Sequence, residues 1–186
     1  MKPYLFIIII ALIVLFFVRG IVSLYNRLIL LRANTDKNFA NIDVLLKQRA
    51  DEVPELVKIV KRYMEYEENL LTKVTELRTQ YLDAKTNEEK VLKSNALNSA
   101  LGSIMVVSEN YPELKANASF SALQSRVSEL ENHLADRREL YNDSINLYNI
   151  GINEFPDLLI AKPLGFKNKE LLQITPAEKK YDGIQF

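Results

Sequence analysis

The sequence predicts an all-α protein, with an N-terminal transmembrane helix, an elongated antiparallel four-helix bundle and an irregular C-terminal tail. Three observations predict this. Fifteen consecutive apolar residues begin at Tyr4. The stretch from Ile21 to Phe155 contains only two glycines and two prolines, which is too few turn residues for a β-rich domain. Apolar residues in that stretch recur every three or four positions, the period of a helix with one buried face.

Composition excludes several classes of function. The 186 residues include 24 Lys and Arg, 24 Asp and Glu, one His and no Cys. Without cysteine there is no disulfide, cysteine nucleophile or thiolate metal site, and zero net charge provides no basic footprint for nucleic acid. The single histidine, His133, cannot supply the two Glu-x-x-His motifs of a di-iron carboxylate bundle. Since phosphate-loop, nucleophile-elbow and zinc-protease motifs are also absent, we expect no enzyme activity, cofactor or metal.

The N-terminal apolar segment is expected to be a membrane anchor over residues 1–25. Each apolar residue near the centre of a membrane helix favours insertion by about 0.3 to 0.6 kcal/mol. From Tyr4 to Tyr25 a helix is about 31 Å long, the thickness of the hydrocarbon core, with a tyrosine at each interface. Arg19 lies near one end, where its side chain can snorkel to the headgroups; an intramembrane role is the alternative. No small-residue cleavage site follows, which favours an uncleaved anchor.

Flanking charges predict the orientation of this anchor. The leading side carries the terminal amine and Lys2, whereas the trailing side carries Arg19, Arg27 and Arg32 before the first acidic residue, Asp36. Positive charge is retained in the cytoplasm during insertion. The small excess on the trailing side therefore favours an external N-terminus and a cytoplasmic C-terminal domain.

Residues 26–155 are expected to form the bundle, because four apolar stripes mark four helices. The stripes cover residues 21–49, 56–81, 91–105 and 120–155. Pro54 is predicted to separate the first two helices, with a kink in one long helix as the alternative. Later links are expected at 83–88 and 111–117. Gly151, which costs about 1 kcal/mol relative to alanine in an exposed helix, predicts close approach of a neighbouring helix.

Residues 156–186 are expected to form an irregular, partly docked tail. Its turn-forming residues are Pro156, Pro163, Gly165, Pro176 and Gly183, which disfavour regular structure. The tail also carries ten large hydrophobic residues: Leu158, Leu159, Ile160, Leu164, Phe166, Leu171, Leu172, Ile174, Ile184 and Phe186. So many apolar side chains argue against a fully solvated segment, and we expect at least the first half to dock.

Polar residues on or beside the stripes are the candidate interaction site. They are Asp43, Lys47, Arg49, Glu131, Asn132, Arg138, Tyr141, Asn142, Tyr148 and Asn149. On the last helix, Glu131 and Arg138 are seven residues apart, and so are the two Tyr-Asn pairs. Each set therefore stacks on one side of the helix. The favoured interpretation is a hydrogen-bond network that sets bundle register, with Lys61 as a further partner. The alternative is an exposed groove that binds a peptide or partner helix. For the Tyr-Asn pairs both stay open, because tyrosine suits interfaces.

Longer motifs in the chain resemble the LemA family. They include Tyr25-Asn26, Phe39-Ala40-Asn41-Ile42-Asp43, Val53-Pro54-Glu55-Leu56-Val57, Glu109-Asn110-Tyr111-Pro112, both Tyr-Asn pairs, Phe155-Pro156 and Gly165-Phe166. The resemblance covers residues 23–166. It implies a bacterial protein with one N-terminal membrane helix, a short external N-terminus and a domain like an antiparallel four-helix bundle. It implies no catalytic residues. Gln48 departs from the family pattern, which commonly has a basic residue there.

We therefore expect a non-enzymatic scaffold in the bacterial inner membrane. It would self-associate or organise a membrane-associated complex through the Tyr-Asn face and the tail. A link to envelope stress is a hypothesis from the resemblance alone. The alternative function is a membrane-proximal module that binds a small molecule or lipid, in a cavity lined by Tyr63, Tyr141 and Tyr148.

Overall fold

The computed structural model describes residues 2–64 and 67–172. Within these ranges the regular elements are all helices: α1 (Lys2–Val60), α2 (Glu68–Asp83), α3 (Asn87–Ser108), α4 (Pro112–Lys115), α5 (Ala118–Asn153) and α6 (Leu158–Ala161). The protein is thus an all-α helical bundle, as the sequence predicts. The end of the predicted tail, from residue 173 onward, lies outside the described residues.

The predicted break at Pro54 is wrong, because α1 continues through this residue to Val60. A proline inside a helix lacks the N–H that would bond to the carbonyl four residues earlier, which here belongs to Ala50. Arg78 of α2 supplies a donor instead, with its Nε 2.8 Å from the Ala50 oxygen. A side chain from another helix therefore compensates for the missing backbone hydrogen bond, and the chain first leaves the helix only after Val60.

One face of α1 is buried in a seven-residue repeat. Leu28, Thr35, Ile42, Arg49 and Leu56 are each at most 1% exposed. Seven residues make about two helical turns, so these side chains stack in one row. Towards the N-terminus, the side chains from residue 4 to residue 23 are exposed. Packing on α1 therefore begins where the apolar N-terminal segment ends.

Local signals set the starts of α3 and α5. Thr86 and Glu89 form a capping box at the start of α3, in which each side chain accepts a hydrogen bond from the other's backbone N–H. Asn117 caps α5, since its Oδ1 accepts from the N–H groups of Ser119 and Phe120 at 2.9 and 3.1 Å. The predicted link 111–117 contains the short helix α4, which begins at a proline. Such caps satisfy backbone donors that the helix itself leaves unpaired.

The described residues divide into two compact units. The first consists of residues 2–38 and Glu139–Leu172, and the second of Phe39–Arg138. The second unit packs α2, α3, α4 and parts of α1 and α5 around buried apolar side chains, among them Ile42, Leu46, Leu97, Leu101, Ile104 and Leu134. The first unit has its own apolar cluster, formed by Leu28, Tyr148, Ile152 and Ala161, with Leu31, Ile160 and Phe166 packed against it.

A tight reversal ends the helical part of the first unit. After α6, the N–H of Phe166 donates to the carbonyl of Ala161 and that of Gly165 to Lys162, both at 3.1 Å. Gly165 has a φ of +75°, the left-handed conformation that glycine adopts without strain in this Schellman motif. The chain then continues without helix from 166 to 172. Phe155, predicted to end a buried stripe, is 79% exposed, because α5 ends two residues before it.

Candidate functional site

Arg49 is the centre of a polar contact between three helices of the second unit. Its side chain is fully buried, where an unpaired charge would be strongly unfavourable. Nη1 lies 3.3 Å from Ser94 Oγ of α3, and Nη2 forms an ion pair with Glu131 of α5. The structure therefore brings the candidates Arg49 and Glu131 together, whereas the sequence offered no way to choose between several partners.

Asp43 takes part in a second polar contact of the same unit. Its Oδ2 lies 2.7 Å from Lys90 Nζ, and Tyr81 donates its hydroxyl to Oδ1 at 3.5 Å. Burial of Tyr81, and then the Asp43 carboxylate beside it, raise the pKa of the tyrosine hydroxyl. This hydroxyl therefore stays protonated and serves as a donor, as a phenol must to hold a carboxylate.

The remaining polar candidates of the second unit are Arg138, Lys47, Asn132 and Lys61. Arg138 donates from Nη2 to Asn95 Oδ1 at 3.0 Å. Lys47, Asn132 and Lys61 are exposed. Glu129 and His133 form an exposed pair 3.6 Å apart. Within the part of the chain that the structure describes, no group of three or more His, Cys, Asp and Glu residues is placed to hold a metal ion.

In the first unit, two asparagines of α5 hold the non-helical segment 166–172. Asn149 donates from Nδ2 to the carbonyl of Lys169 and accepts from its N–H through Oδ1, both at 2.9 Å. Asn142 does the same with Leu172, at 3.1 and 2.9 Å. Seven helical residues and three extended residues both span about 10 Å. The seven-residue spacing of the Tyr-Asn pairs thus matches the spacing of Lys169 and Leu172, and we call this arrangement the asparagine clamp.

The tyrosines of the two pairs are buried, unlike the asparagines beside them. Tyr141 and Tyr148 are buried, and the Tyr148 hydroxyl donates to the carbonyl of Lys167 at 3.1 Å. Burial is the main cause that raises the pKa of this hydroxyl. In each pair the tyrosine is part of the core and the asparagine binds the tail. This division of roles explains why the two residue types recur together.

Lys169 locks the clamped segment onto α1, and the sequence analysis missed this residue. Its Nζ lies 2.8 Å from Asp36 Oδ1 and donates to Thr35 Oγ1, and it sits 5.4 Å from the centroid of the Tyr148 ring. One signal was available, since Thr35 is a polar residue in the largely apolar first stripe. The partner on the tail was not accessible from the sequence because it lies 134 positions away.

Arg27 was considered only as an orientation signal, but it ties α1 to the turn after α5. Nη1 lies 3.0 Å from Asp157 Oδ2, and Nη2 pairs with Glu154. The Asp157 side chain is fully buried, so its charge requires this partner. Arg27 therefore fixes the position of the turn along α1.

The three residues predicted to mark the membrane segment lie on α1, and their side chains are exposed. Tyr4 and Tyr25 are 72% and 42% exposed, and Arg19 is also exposed. The helix is long and apolar enough to cross a membrane, and its most apolar 18-residue window has a mean hydropathy of 3.1 with none of its residues buried. A fully exposed apolar surface of this length is unfavourable in water.

An open groove lies in the second unit, between the end of α1 and α2. Its volume is about 730 Å³, within the range typical of binding sites. Val57, Met64 and Leu71 line it with apolar surface, and Lys61 and Glu68 place charges at its lining. The sequence alone does not indicate this groove. The apolar residues that line it belong to the same stripes as the core residues, so they cannot be told apart by periodicity.

The three tyrosines predicted to line a small-molecule cavity are divided between the two units, with Tyr63 in the second and Tyr141 and Tyr148 in the first. Tyr148 lines a depression of about 270 Å³ in the first unit. Tyr63 lines one of about 250 Å³ in the second unit, where its hydroxyl accepts from Asn117 at 3.0 Å. Tyr141 lines neither.

Comparisons with known proteins identify relatives of this chain and its family. Magnetosome proteins MamQ 1 and MamQ 2 of Paramagnetospirillum magneticum are each 24% identical over 187 aligned residues, which cover 87% of this chain and 69% of the relative. Magnetosome protein MamQ of Magnetospirillum gryphiswaldense is 21% identical over the same shares. The profile of the LemA family matches residues 38–186, four fifths of the chain. The chain therefore belongs to the LemA family.

Proposed function

We propose that this protein is a non-enzymatic helical scaffold, anchored in the bacterial inner membrane by α1, that self-associates or organises a membrane-associated complex. The observation that carries the proposal is the open groove of the second unit, with its volume of about 730 Å³. A groove between helices that is lined by both apolar and polar side chains suits an amphipathic partner helix. Val57 would provide apolar contact above Met64 and Leu71, which are 1% and 6% exposed and form the floor of the groove. Lys61 and Glu68 would set the register through charge.

The use of the polar residues supports a scaffold over an enzyme. Arg49 and Asp43 of α1 and Arg138 of α5 each contact α3, and Asn142 and Asn149 hold the tail. Groups that take part in such structural contacts stabilise one arrangement of helices. A rigid platform next to a membrane is what a scaffold requires.

The anchor supports a membrane location for this scaffold. The 18-residue window of α1 with a mean hydropathy of 3.1 would be buried by a bilayer, and the family and its magnetosome relatives are consistent with membrane association. The excess of positive charge after the apolar segment favours a short external N-terminus and a cytoplasmic domain.

The proposal is tested by the mass of the full-length protein in mild detergent, measured by light scattering coupled to size exclusion. A photoreactive residue at Thr72, which lines the groove, would report on what occupies it. Leu92 of α3, which is 65% exposed and outside the groove, is the matched control. We expect a complex larger than one chain, with intermolecular crosslinks at Thr72 and none at Leu92. A monodisperse monomer that crosslinks only within its own chain would overturn the proposal.

The size of the groove favours one other candidate function, a module that binds a small molecule or lipid. A volume of about 730 Å³ accommodates a ligand of drug size. Native mass spectrometry of the detergent-solubilised protein distinguishes the two candidates. A retained small molecule of constant mass that is lost in Val57→Glu would support the ligand module, and its absence would count against it.

A further inference from the structure

The turn between α5 and the clamped segment exposes apolar side chains. Phe155, Leu159 and Leu164 are 79%, 65% and 55% exposed. Their neighbours in the turn pack inward, because Ala161 is buried and Ile160 and Phe166 contact the apolar cluster of the first unit. The exposed residues therefore form one surface of an ordered turn. We call residues 154–165 the apolar turn.

The apolar turn lies at the level of α1 where the exposed apolar segment ends. Arg27 holds it there through Asp157 at 3.0 Å and through Glu154. Helical side chains lean towards the N-terminus, so this contact places the turn on the Tyr25 side of Arg27. Along the axis, Arg27 is only about 3 Å beyond Tyr25.

The direction of α5 places the turn at the same end. A Cβ at Gly151 would overlap the side chain of Leu31, and the turn that follows reaches Arg27. Within the first unit, α5 therefore runs antiparallel to α1 and ends towards the apolar N-terminal segment. Leu140 precedes Phe155 by fifteen residues. At the rise of an α-helix this is a distance of about 22 Å along the axis of α5, so Leu140 lies far from the turn.

The dimensions of a bilayer predict which layer of the membrane surrounds the apolar turn. If the hydrocarbon core of about 30 Å begins at Tyr4, it ends close to Tyr25. The headgroup layer beyond it is about 5 to 8 Å thick. The apolar turn then falls within that layer, and exposed lysines at 162 and 167 face anionic headgroups, as basic residues near a membrane surface do.

We propose that the apolar turn docks into the interfacial layer of the bilayer that α1 crosses, with Phe155, Leu159 and Leu164 among the lipids. This inference rests on the proposed anchoring by α1. It commits to the lipid surface as the occupant because Arg27, which holds the turn, lies only about 3 Å along the axis from Tyr25, where the exposed apolar segment of α1 ends. Docking at two points would fix the tilt and rotation of the first unit on the membrane, which a single helix leaves free.

The test uses tryptophan, which is absent from the chain. The full-length variants Val18→Trp, Phe155→Trp and Leu140→Trp are reconstituted into vesicles of phosphatidylcholine with a minority of phosphatidylglycerol, with and without brominated acyl chains. Val18 lies in the apolar segment and is 51% exposed, and Leu140, 48% exposed, is the matched control within the first unit. We expect about twofold or stronger quenching by bromine for the first two variants and none for Leu140→Trp, because tryptophan settles at the membrane interface.

The three variants separate the possible failures. Quenching at Val18 without quenching at Phe155 would overturn the docking of the turn and leave the anchor intact. No quenching at Val18 would show that α1 does not insert, so the proposed anchoring itself would fail. Equal quenching at Leu140 would show that α5 as a whole lies on lipid, which contradicts a contact confined to the turn.

Discussion

Arg78 donates from Nε to the carbonyl oxygen of Ala50 at 2.8 Å, the oxygen that Pro54 leaves without its helical donor. We expect Arg78→Met, which keeps the apolar stem, to lower the free energy of unfolding by about 1 to 3 kcal/mol. In a Pro54→Ala background the new N–H at position 54 can bond to Ala50, so the same change should cost less. Urea unfolding of the full chain in detergent, followed by circular dichroism, measures both effects.

The control for this comparison is Arg137→Met on α5, where the arginine is exposed. It should change the free energy of unfolding by almost nothing, both in the parent and in the Pro54→Ala variant. Equal costs of Arg78→Met with and without Pro54 would contradict the compensation.

The buried ion pair predicts an asymmetric response to its two partners. Arg49 is fully buried, so Glu131→Ala would leave a buried charge without its carboxylate and should cost about 3 to 5 kcal/mol. Arg49→Met in the Glu131→Ala background should restore part of that loss. Glu129→Ala, two residues away and 71% exposed, should change the stability by less than about 1 kcal/mol. Thermal melts rank these variants, and a Glu129 effect as large as that of Glu131 would refute the role of the pair.

The asparagine clamp predicts local rather than global destabilisation. Asn149→Ala removes an acceptor and a donor for Lys169 and should cost less than about 2 kcal/mol of global stability. Hydrogen exchange at the Lys169 amide should nevertheless speed up by about tenfold, because local opening no longer breaks these bonds. Mass spectrometry of peptides that cover 166–172 reports the rate. Asn132→Ala is the matched control, and unchanged exchange in Asn149→Ala would argue against the clamp.

Two glycines predict opposite outcomes for one substitution. A side chain at Gly151 would overlap Leu31, whereas a Cβ at Gly102 of α3 meets no atom within 4 Å. We expect Gly151→Leu to destabilise the protein by about 1 to 3 kcal/mol through overpacking. Gly102→Leu should stabilise it by up to about 1 kcal/mol, since leucine has the higher helix propensity. Denaturant midpoints of the two variants decide this, and the same sign for both would be inconsistent with the close contact at Gly151.

The capping box of α3 predicts a pH dependence. The backbone N–H groups of Lys85 and Thr86 hold the pKa of the Glu89 carboxyl below its usual value of 4.5. An acid with a lowered pKa adds stability above its unfolded pKa and loses it as the pH falls through the folded value. Glu89→Gln keeps an acceptor but does not titrate, so its stability relative to the parent should rise as the medium is acidified below 4.5.

Parallel melts of the parent, Glu89→Gln and Glu88→Gln across this acidic range provide the measurement. Glu88 lies next to the box but outside it. A stability difference between the parent and Glu89→Gln that stays constant with pH would show that the box does not titrate.

The helices and the apolar N-terminal segment follow from local properties of the chain. An unbroken apolar run, a three-to-four-residue period and the scarcity of turn residues are all visible within a few helical turns of sequence. The capping box of α3 is equally local, since it spans only four residues, but the link was predicted to extend to residue 88, past the observed start of α3 at Asn87. The candidate residues Arg49, Glu131, Asn142 and Asn149 were found because polar residues on an apolar stripe are costly without partners.

Which residues become those partners was decided by the tertiary structure. Ala50 finds its donor on Arg78 of another helix, so whether Pro54 breaks α1 depended on a contact 28 positions away. Lys169 reaches Asp36 across 133 positions, and Arg27 meets Asp157 across 130. Periodicity identifies the face of a helix that must be covered, but it carries no information about which distant segment covers it, because many segments offer similar hydrogen bonds and apolar area.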